Sequence, residues 1–189
     1  MNRGALLVID MVKDNLADPD HNLVARQAGA IIPVINNLAA VFREAGGLVI
    51  YASDSFLEED FIFGGRMSPH AIRGTAGAEV ADALIRKAGD IIMPKRRFSA
   101  FFKTDLDQTL RTLRVDTVAV CGITSLFCVL ATALDSLCHD FKTIIVEDAS
   151  CAHKDEVHQA LMDFYRRNPL YPLFRVLPAS DVASLVAES

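Results

Sequence analysis

The chain lacks the features that mark membrane proteins and nucleic-acid-binding proteins. No apolar run approaches the roughly 20 residues that span a bilayer. The N-terminal residues lead directly into a short strand-like segment, so we expect no signal peptide either. The formal net charge of −5 disfavours nucleic acid or an anionic membrane as a partner. Since repeats and low-complexity tracts are also missing, we expect a single domain over residues 1–189.

Closely spaced cysteine pairs are also missing. The four cysteines are Cys121, Cys128, Cys138 and Cys151, and none belongs to a C-x-x-C motif. We therefore predict neither a zinc knuckle nor a disulfide framework. A chain with free cysteines fits a reducing compartment, so we expect a cytoplasmic protein.

Short apolar segments alternate with segments of helical periodicity along the whole chain. The predicted strands are Ala5–Asp10, Leu48–Ala52, Asp90–Pro94, Val118–Cys121, Lys142–Val146 and Phe174–Leu177. The predicted helices are Val24–Glu44, Glu79–Ala88, Asp105–Leu113, the segment after Gly122, Asp155–Arg167 and a last one from Asp181. This alternation predicts a three-layer αβα fold, a Rossmann-like α/β architecture with a six-stranded parallel sheet and helices on both faces.

Three residues with complementary chemistry follow three of the predicted strands. Asp10, Lys95 and Cys128 come after strands one, three and four, and the carboxyl ends of parallel strands share one edge of the sheet. If the strand order is 3-2-1-4-5-6, Asp10 and Cys128 face each other where the order reverses. A cysteine supplies a nucleophile, a carboxylate exchanges a proton with it, and a lysine stabilises their charges. The three types together predict acyl transfer to water through a thioester.

The segment around Cys128 indicates how the nucleophile would be activated. Thr124 or Ser125 can cap the helix that follows Gly122, which puts Cys128 in the first turn, where the helix N-terminus favours a thiolate. Backbone N–H groups around Thr124 and Cys128 would form an oxyanion hole. One apolar stripe is expected on this helix, at Phe127, Leu130, Ala131, Leu134 and Cys138.

A long segment without periodicity, Ser53–Ala76, separates strand two from the next predicted helix. A connection of this length in a compact domain is usually functional, so we interpret it as a loop over the active site. The turn after strand one contains no G-x-G-x-x-G motif, which excludes a dinucleotide-binding enzyme of the usual kind.

The chain resembles the isochorismatase-like cysteine hydrolases. The resemblance lies in Leu6-Leu-Val-Ile-Asp10-Met, in Lys95-Arg-Arg-Phe-Ser-Ala-Phe101 and in Gly122-Ile-Thr-Ser-Leu-Phe-Cys128-Val-Leu-Ala-Thr-Ala. It implies a catalytic triad of Asp10, Lys95 and Cys128, a cis peptide at Ile123–Thr124, and a homo-oligomer, a dimer or a tetramer. Ile123, Thr124 and Phe98 would then contact the substrate.

Within that family, the middle loop is most similar to the nicotinamidases. The resemblance implies a metal site at Asp54, position 56 and His70, but position 56 is a phenylalanine, which cannot ligate a metal. We therefore expect no cofactor; a divalent metal such as zinc remains the alternative if Glu58, Glu59 or Asp60 replaces the missing ligand. Leu126 stands where the subgroup commonly has an acid, so we expect a more apolar pocket with Phe56, Phe98 and Phe101 as its walls.

The sequence therefore predicts a cysteine hydrolase that cleaves the C–N bond of a small amide, with a nicotinamidase-like site. Two alternatives within the fold stay open, a hydrolase of carbamoyl or ureido compounds and an ether hydrolase of the isochorismatase type. Because the latter subgroup lacks the nucleophilic cysteine, Cys128 argues against it. A third alternative is a non-catalytic binding protein on the same fold.

Overall fold

The centre of the molecule, a computed structural model that describes residues 3–188, is a sheet of six parallel strands. The strands are β1 (Gly4–Ile9), β2 (Leu48–Asp54), β3 (Ile91–Lys95), β4 (Thr117–Ile123), β5 (Lys142–Cys151) and β6 (Phe174–Leu177). Their order across the sheet is β3-β2-β1-β4-β5-β6, as the sequence analysis anticipated. The neighbours β1 and β4 therefore lie at the point where strand order reverses, which is where such sheets bind ligands.

Five α-helices cover the two faces of this sheet. They are α1 (Leu23–Glu44), α2 (Leu106–Thr112), α3 (Leu130–Cys138), α4 (Asp155–Arg166) and α5 (Ala179–Ala187). One apolar cluster joins the sheet to α1 and α5, and another joins it to α2, α3 and α4. Because β1 and β4 are covered on both faces, all their residues are buried, as continuous apolar runs predict. The predicted three-layer α/β fold is confirmed.

The first helix packs along the sheet and starts at a side-chain cap. Asn22 Oδ1 accepts hydrogen bonds from the backbone N–H groups of Val24 and Ala25, at 3.0 and 3.2 Å. With 22 residues and a mean hydropathy of 1.2, α1 could cross a bilayer by length and composition alone, although polar residues such as Arg26, Asn36 and Asn37 interrupt its apolar sequence. Its buried stripe, which includes Ile31, Ile35 and Phe42, packs against the sheet and accounts for this apolar character.

The predicted helix Glu79–Ala88 is wrong. This segment runs beside the chain that follows β1: the N–H of Lys13 donates to Glu79 O and the N–H of Ala81 donates to Met11 O, both at 2.9 Å. Side chains from α1 hydrogen-bond backbone groups farther along the segment. These partners from distant parts of the sequence satisfy the backbone N–H and C=O groups that a helix would have paired internally. The local apolar pattern does not reveal such partners.

The helix that carries Cys128 begins differently from the prediction. Residues Ser125–Val129 form a π-helical turn that continues into α3, and Thr124 makes no side-chain cap. Ser125 does not cap it either, because its hydroxyl lies 3.1 Å from Nδ1 of the buried His158. The π-turn holds one more residue than an α-turn, which changes the face that meets the sheet.

The predicted apolar stripe of this helix is therefore also wrong. Phe127 and Leu134 are exposed, by 57% and 36%. The buried face consists mostly of small side chains, which let the helix approach the sheet closely. Its buried residues are Ser125, Cys128, Val129, Thr132, Ala133 and Ser136.

Candidate active site

Gly122 brings β1 and β4 together at the ends that carry the candidate residues. It pairs with Ile9 across the two strands and has a φ of +106°, which side chains rarely allow. A Cβ at this position would lie 2.3 Å from Ile9 O, so only glycine permits the approach. Asp10 follows Ile9 directly, and Cys128 lies in the π-helical turn just after the strand that contains Gly122. The contact between Gly122 and Ile9 therefore sets how closely Asp10 and Cys128 can approach each other.

Asp10 is held in place by its neighbours on β2. It has a φ of 54°, in the left-handed region that few residues other than glycine adopt, and its backbone N–H donates to Ala52 O at 2.9 Å. Its carboxylate is buried, and Oδ1 accepts from the backbone N–H of Asp54 at 2.9 Å. Oδ2 accepts no backbone hydrogen bond from the described residues; it faces the ammonium of Lys95, and the carboxylate also lies within hydrogen-bond reach of the Cys128 thiol.

Lys95 joins the ends of three adjacent strands. Its ammonium lies 2.7 Å from Asp10 Oδ2 and 2.7 Å from Asp54 Oδ1, and it donates to Arg97 O at 3.1 Å. The side chain of Lys95 is completely buried. Asp54 is paired with Lys95 in the register of β2 and β3, which explains why its carboxylate reaches the ammonium.

Cys128 completes this cluster from the other half of the sheet. One carboxylate oxygen each of Asp10 and Asp54 and the Cys128 sulfur all lie within 4.8 Å of one another. Cys128 is 9% exposed and lines the main cavity. The structure therefore brings the three predicted residues together and adds Asp54, which the sequence analysis considered only as a metal ligand or a turn residue.

Burial and like charge determine where the proton resides in this cluster. The pKa of Asp10 is raised to about 7, first by burial and second by the charge of Asp54, against the opposing effect of Lys95. Burial acts to lower the pKa of Lys95, but the negative charges of Asp10, Cys128 and Asp54 raise it overall, so this lysine stays protonated. Burial and the charge of Asp10 raise the pKa of the Cys128 thiol well above its usual range.

The expectation that Cys128 readily forms a thiolate is therefore wrong for the free site. Lys95 does lower the thiol pKa, but burial and the two carboxylates outweigh it. A thiolate would add a negative charge to a site that already holds two carboxylates and one ammonium. A nucleophilic Cys128 would therefore need a neighbouring group that accepts its proton.

A cavity of about 470 Å³ opens above the cysteine. Its walls are mostly apolar and include Phe56, Phe98, Ile123 and Phe127, and Phe98 and Phe127 have ring centroids 5.6 Å apart. Phe56 and Phe98 are thus on the predicted wall. Phe101 is not among the residues around the cavity, because it is buried in the core and stacks on His139 at 5.0 Å.

The backbone beside Cys128 has the geometry that the resemblance implied. The Ile123–Thr124 peptide is cis, and both residues line the cavity next to Cys128. Their contribution to an oxyanion hole remains a prediction.

The positions implied for a metal do not form a ligand set. In the described part of the chain, the one group of three or more potential ligands is Asp10, Asp54 and Cys128. The ring of Phe56 is buried and packs edge-on against His70, whose Nδ1 bonds to Ser68 O at 2.9 Å. Asp60 does not replace the missing ligand, since Arg96 and Arg97 bind its carboxylate and keep its pKa below the usual range.

Three polar residues around the cavity were not identified from the sequence. Asp14, Asn15 and Asn22 line it from the segment between β1 and α1. Asn15 Nδ2 also donates to Asp10 O at 3.0 Å, which ties this segment to the cluster of Asp10, Lys95, Asp54 and Cys128. Short polar residues in a connecting loop gave no local signal that would separate them from turn residues.

Comparison with known proteins gives consistent matches over most of the chain. The family model described as an isochorismatase domain matches residues 4–172. A maleamate amidohydrolase from Pseudomonas putida is 30% identical, over 84% of this chain and 76% of the relative. An Arabidopsis thaliana protein named a probable inactive nicotinamidase is 31% identical, over 82% of this chain and 84% of the relative.

Solved structures agree with this match. Pyrazinamidase of Pyrococcus horikoshii in complex with zinc aligns with a TM-score of 0.80 and 28% identity, over 93% of this chain and 99% of that chain. The matches confirm the predicted isochorismatase-like fold and family resemblance. The relatives include amidohydrolases, which act on C–N bonds other than peptide bonds.

Proposed function

Since the chain belongs to the isochorismatase domain family, we propose that it is a cysteine amidohydrolase that cleaves the C–N bond of a small amide. One observation carries this proposal: the buried carboxylate of Asp10 lies 2.7 Å from the Lys95 ammonium and within 4.8 Å of the Cys128 thiol. A buried base with a pKa near 7 beside a cysteine is the arrangement that nucleophilic catalysis needs.

The first half of the reaction forms a thioester. Cys128 Sγ attacks the amide carbon while its proton passes to Asp10 Oδ2, so the net charge of the site does not change as the C–S bond forms. Backbone N–H groups near Thr124 stabilise the negative charge that develops on the amide oxygen. Asp10 then gives the proton to the leaving nitrogen, the C–N bond breaks, and ammonia or an amine departs.

The second half consumes water. Asp10 is ionised again and removes a proton from a water molecule that attacks the thioester carbon. The C–S bond breaks, the acid is released, and the proton on Asp10 returns to Cys128. Throughout, Lys95 keeps Asp10 and Asp54 in place and compensates part of their charge.

No metal takes part in this mechanism. The residues at positions 54, 56 and 70 do not fit a metal because Phe56 offers no ligand atom, and Asp54 is already bound to Lys95. The cluster of Asp10, Asp54 and Cys128 does not fit one either, since the Lys95 ammonium already lies 2.7 Å from both carboxylates. A cation there would meet strong repulsion from the buried lysine.

The test is ammonia release from a panel of small amides, including nicotinamide and carbamoyl compounds, by the native protein and by Cys128→Ala. We expect turnover of at least one amide by the native protein and none by the variant. Cys138→Ala serves as the matched control, because Cys138 is exposed and its removal should leave the rate unchanged.

Two results would contradict the proposal. Equal turnover by native protein and Cys128→Ala would remove the cysteine from the mechanism. Binding of amides with no turnover of any of them would favour a non-catalytic protein. The proposed dimer or tetramer is checked on the same samples by sedimentation velocity.

A further inference from the structure

The cavity above Cys128 has an unbalanced set of charges. Asp10, Asp14 and Asp54 line it, whereas no lysine or arginine does so among the described residues. Lys95 contacts two of these carboxylates, but its side chain is completely buried and already pairs with both Asp10 and Asp54. Three carboxylates against one ammonium leave the surroundings negative whenever Asp10 is ionised.

The carboxylate of Asp14 is held in a fixed position at the wall of the cavity. Its Oδ2 accepts from the backbone N–H of Ala71 at 2.8 Å, which fixes the carboxylate under the long loop. The residue opposite is Gly77, where a Cβ would lie 2.1 Å from Asp14 Oδ2. The carboxylate therefore occupies a site that any larger residue at position 77 would close.

We infer that this cavity accepts amides with an apolar body and a neutral or positively charged far end, that it rejects carboxylated amides, and that Asp14 sets this preference. The inference rests on the proposed amidohydrolase function. It separates this chain from the maleamate amidohydrolase, because maleamate carries a carboxylate at its far end.

The physical reason is the cost of moving a carboxylate from water into this cavity. The aromatic walls formed by Phe56, Phe98 and Phe127 offer no hydrogen-bond donor, so the few polar side chains around the cavity replace only part of the lost water. The carboxylate would also approach Asp14, Asp10 or Asp54 without an opposing free cation. An ammonium or a neutral group avoids both costs, and an ammonium gains from the charge of Asp14.

The test uses three amides that differ only in the para substituent of a benzamide. The anionic member is 4-carboxybenzamide, the neutral one 4-methylbenzamide and the cationic one 4-(aminomethyl)benzamide. We expect the native protein to show a kcat/KM for the anionic amide about 100-fold below that for the other two, given the strength of like-charge repulsion near a protein surface together with the cost of desolvating the carboxylate.

The variant Asp14→Asn assigns the preference to its residue. Asparagine can still accept the hydrogen bond from Ala71, so the loop should keep its place. We expect kcat/KM to rise up to about fivefold for the anionic amide and to fall by a similar factor for the cationic amide, with the neutral amide changing least. Asp20→Asn is the control, since it removes the same charge from an exposed position outside the cavity.

The outcomes separate this inference from the proposed function. If the anionic amide is turned over as fast as the others, or if Asp14→Asn changes all three rates in parallel, the charge preference is wrong and the amidohydrolase function stands. If no amide is turned over, titration calorimetry with Cys128→Ala tests the preference directly. If the anionic amide binds more weakly than the neutral and cationic amides, the inference holds even without the proposed activity. If all three amides bind equally, or if none of them binds, the inference is overturned.

Discussion

At the scale of single residues, Asp10 holds the proton on which the proposed chemistry depends. Its raised pKa means that it binds a proton below about pH 7 and is ionised above it. The base must be ionised to accept the proton of Cys128. Activity should therefore be lost on the acidic side of pH 7 and retained on the basic side, up to the pH at which the thiol itself ionises.

The first prediction is the pH dependence of kcat/KM, which reports the ionisation of the free protein. We expect a fall of about tenfold per pH unit below an apparent pKa of about 7, and a plateau above it. In Asp54→Asn the apparent pKa should be lower, because the charge of Asp54 is the second largest cause of the shift. The measurement is the rate of ammonia release between pH 5 and 9, taken as roughly the stable range of a folded protein.

Asp20→Asn again provides the control for loss of one negative charge at an exposed position that does not line the cavity. The assignment of this proton to Asp10 would be contradicted if the apparent pKa lay near the ordinary value of an aspartate. It would also be contradicted if the apparent pKa did not change in Asp54→Asn.

At the scale of secondary-structure elements, the site depends on the close contact between β1 and β4. Gly122 and Gly46 both have positive φ values, but they differ in their surroundings. A Cβ at Gly46 would have no atom within 4 Å, whereas a Cβ at Gly122 would collide with Ile9 O. The pair therefore separates backbone strain from a steric clash.

The second prediction uses this pair. Gly46→Ala should lower the free energy of unfolding by about 1–2 kcal/mol, the cost of a left-handed residue with a side chain. Gly122→Ala should cost at least about 2 kcal/mol more and should also abolish amide turnover, because the clash pushes Asp10 away from Cys128. Urea denaturation and ammonia release measure the two effects, and an equal loss of stability in both variants would show that the contact is not tight.

The elements also show which parts of the site could be predicted from the sequence. Strand-like runs placed Asp10, Lys95 and Cys128 at one edge, because parallel strands point their carboxyl ends the same way. The link between Asp54 and Lys95 depends on the register of β2 and β3, which no local pattern encodes. The π-turn at Ser125–Val129 was missed for a similar reason, since its extra residue shifts the helical periodicity on which the prediction relied.

At the scale of the whole molecule, the loop between β2 and β3 forms part of the wall of the cavity above Cys128. It packs Phe56, Phe63 and His70 into one aromatic group, at the positions where the resemblance to nicotinamidases implied a metal site. Asp60 is bound by Arg96 and Arg97, which fixes the start of this group to the segment after β3.

The third prediction follows from that packing. Prolonged treatment with a chelator should leave kcat/KM for the best amide unchanged, and the purified protein should contain well under one equivalent of zinc by mass spectrometry of its metals. Both results are expected because Phe56 has no ligand atom and Lys95 already binds Asp54. A rate that falls with chelation and recovers with zinc would require a ligand set outside the one considered.

The position of Lys95 has a consequence for how such proteins can change over time. Its ammonium holds the ends of β1, β2 and β3 together through Asp10 and Asp54, so Lys95 stabilises the fold as well as the proposed active site. Loss of Lys95 would leave two buried carboxylates without a cation, at a cost of about 3–5 kcal/mol. A change of substrate is therefore expected to arise more easily from replacements at the exposed Asp14 or in the loop between β2 and β3. Such replacements leave the ion pairs of Lys95 unchanged.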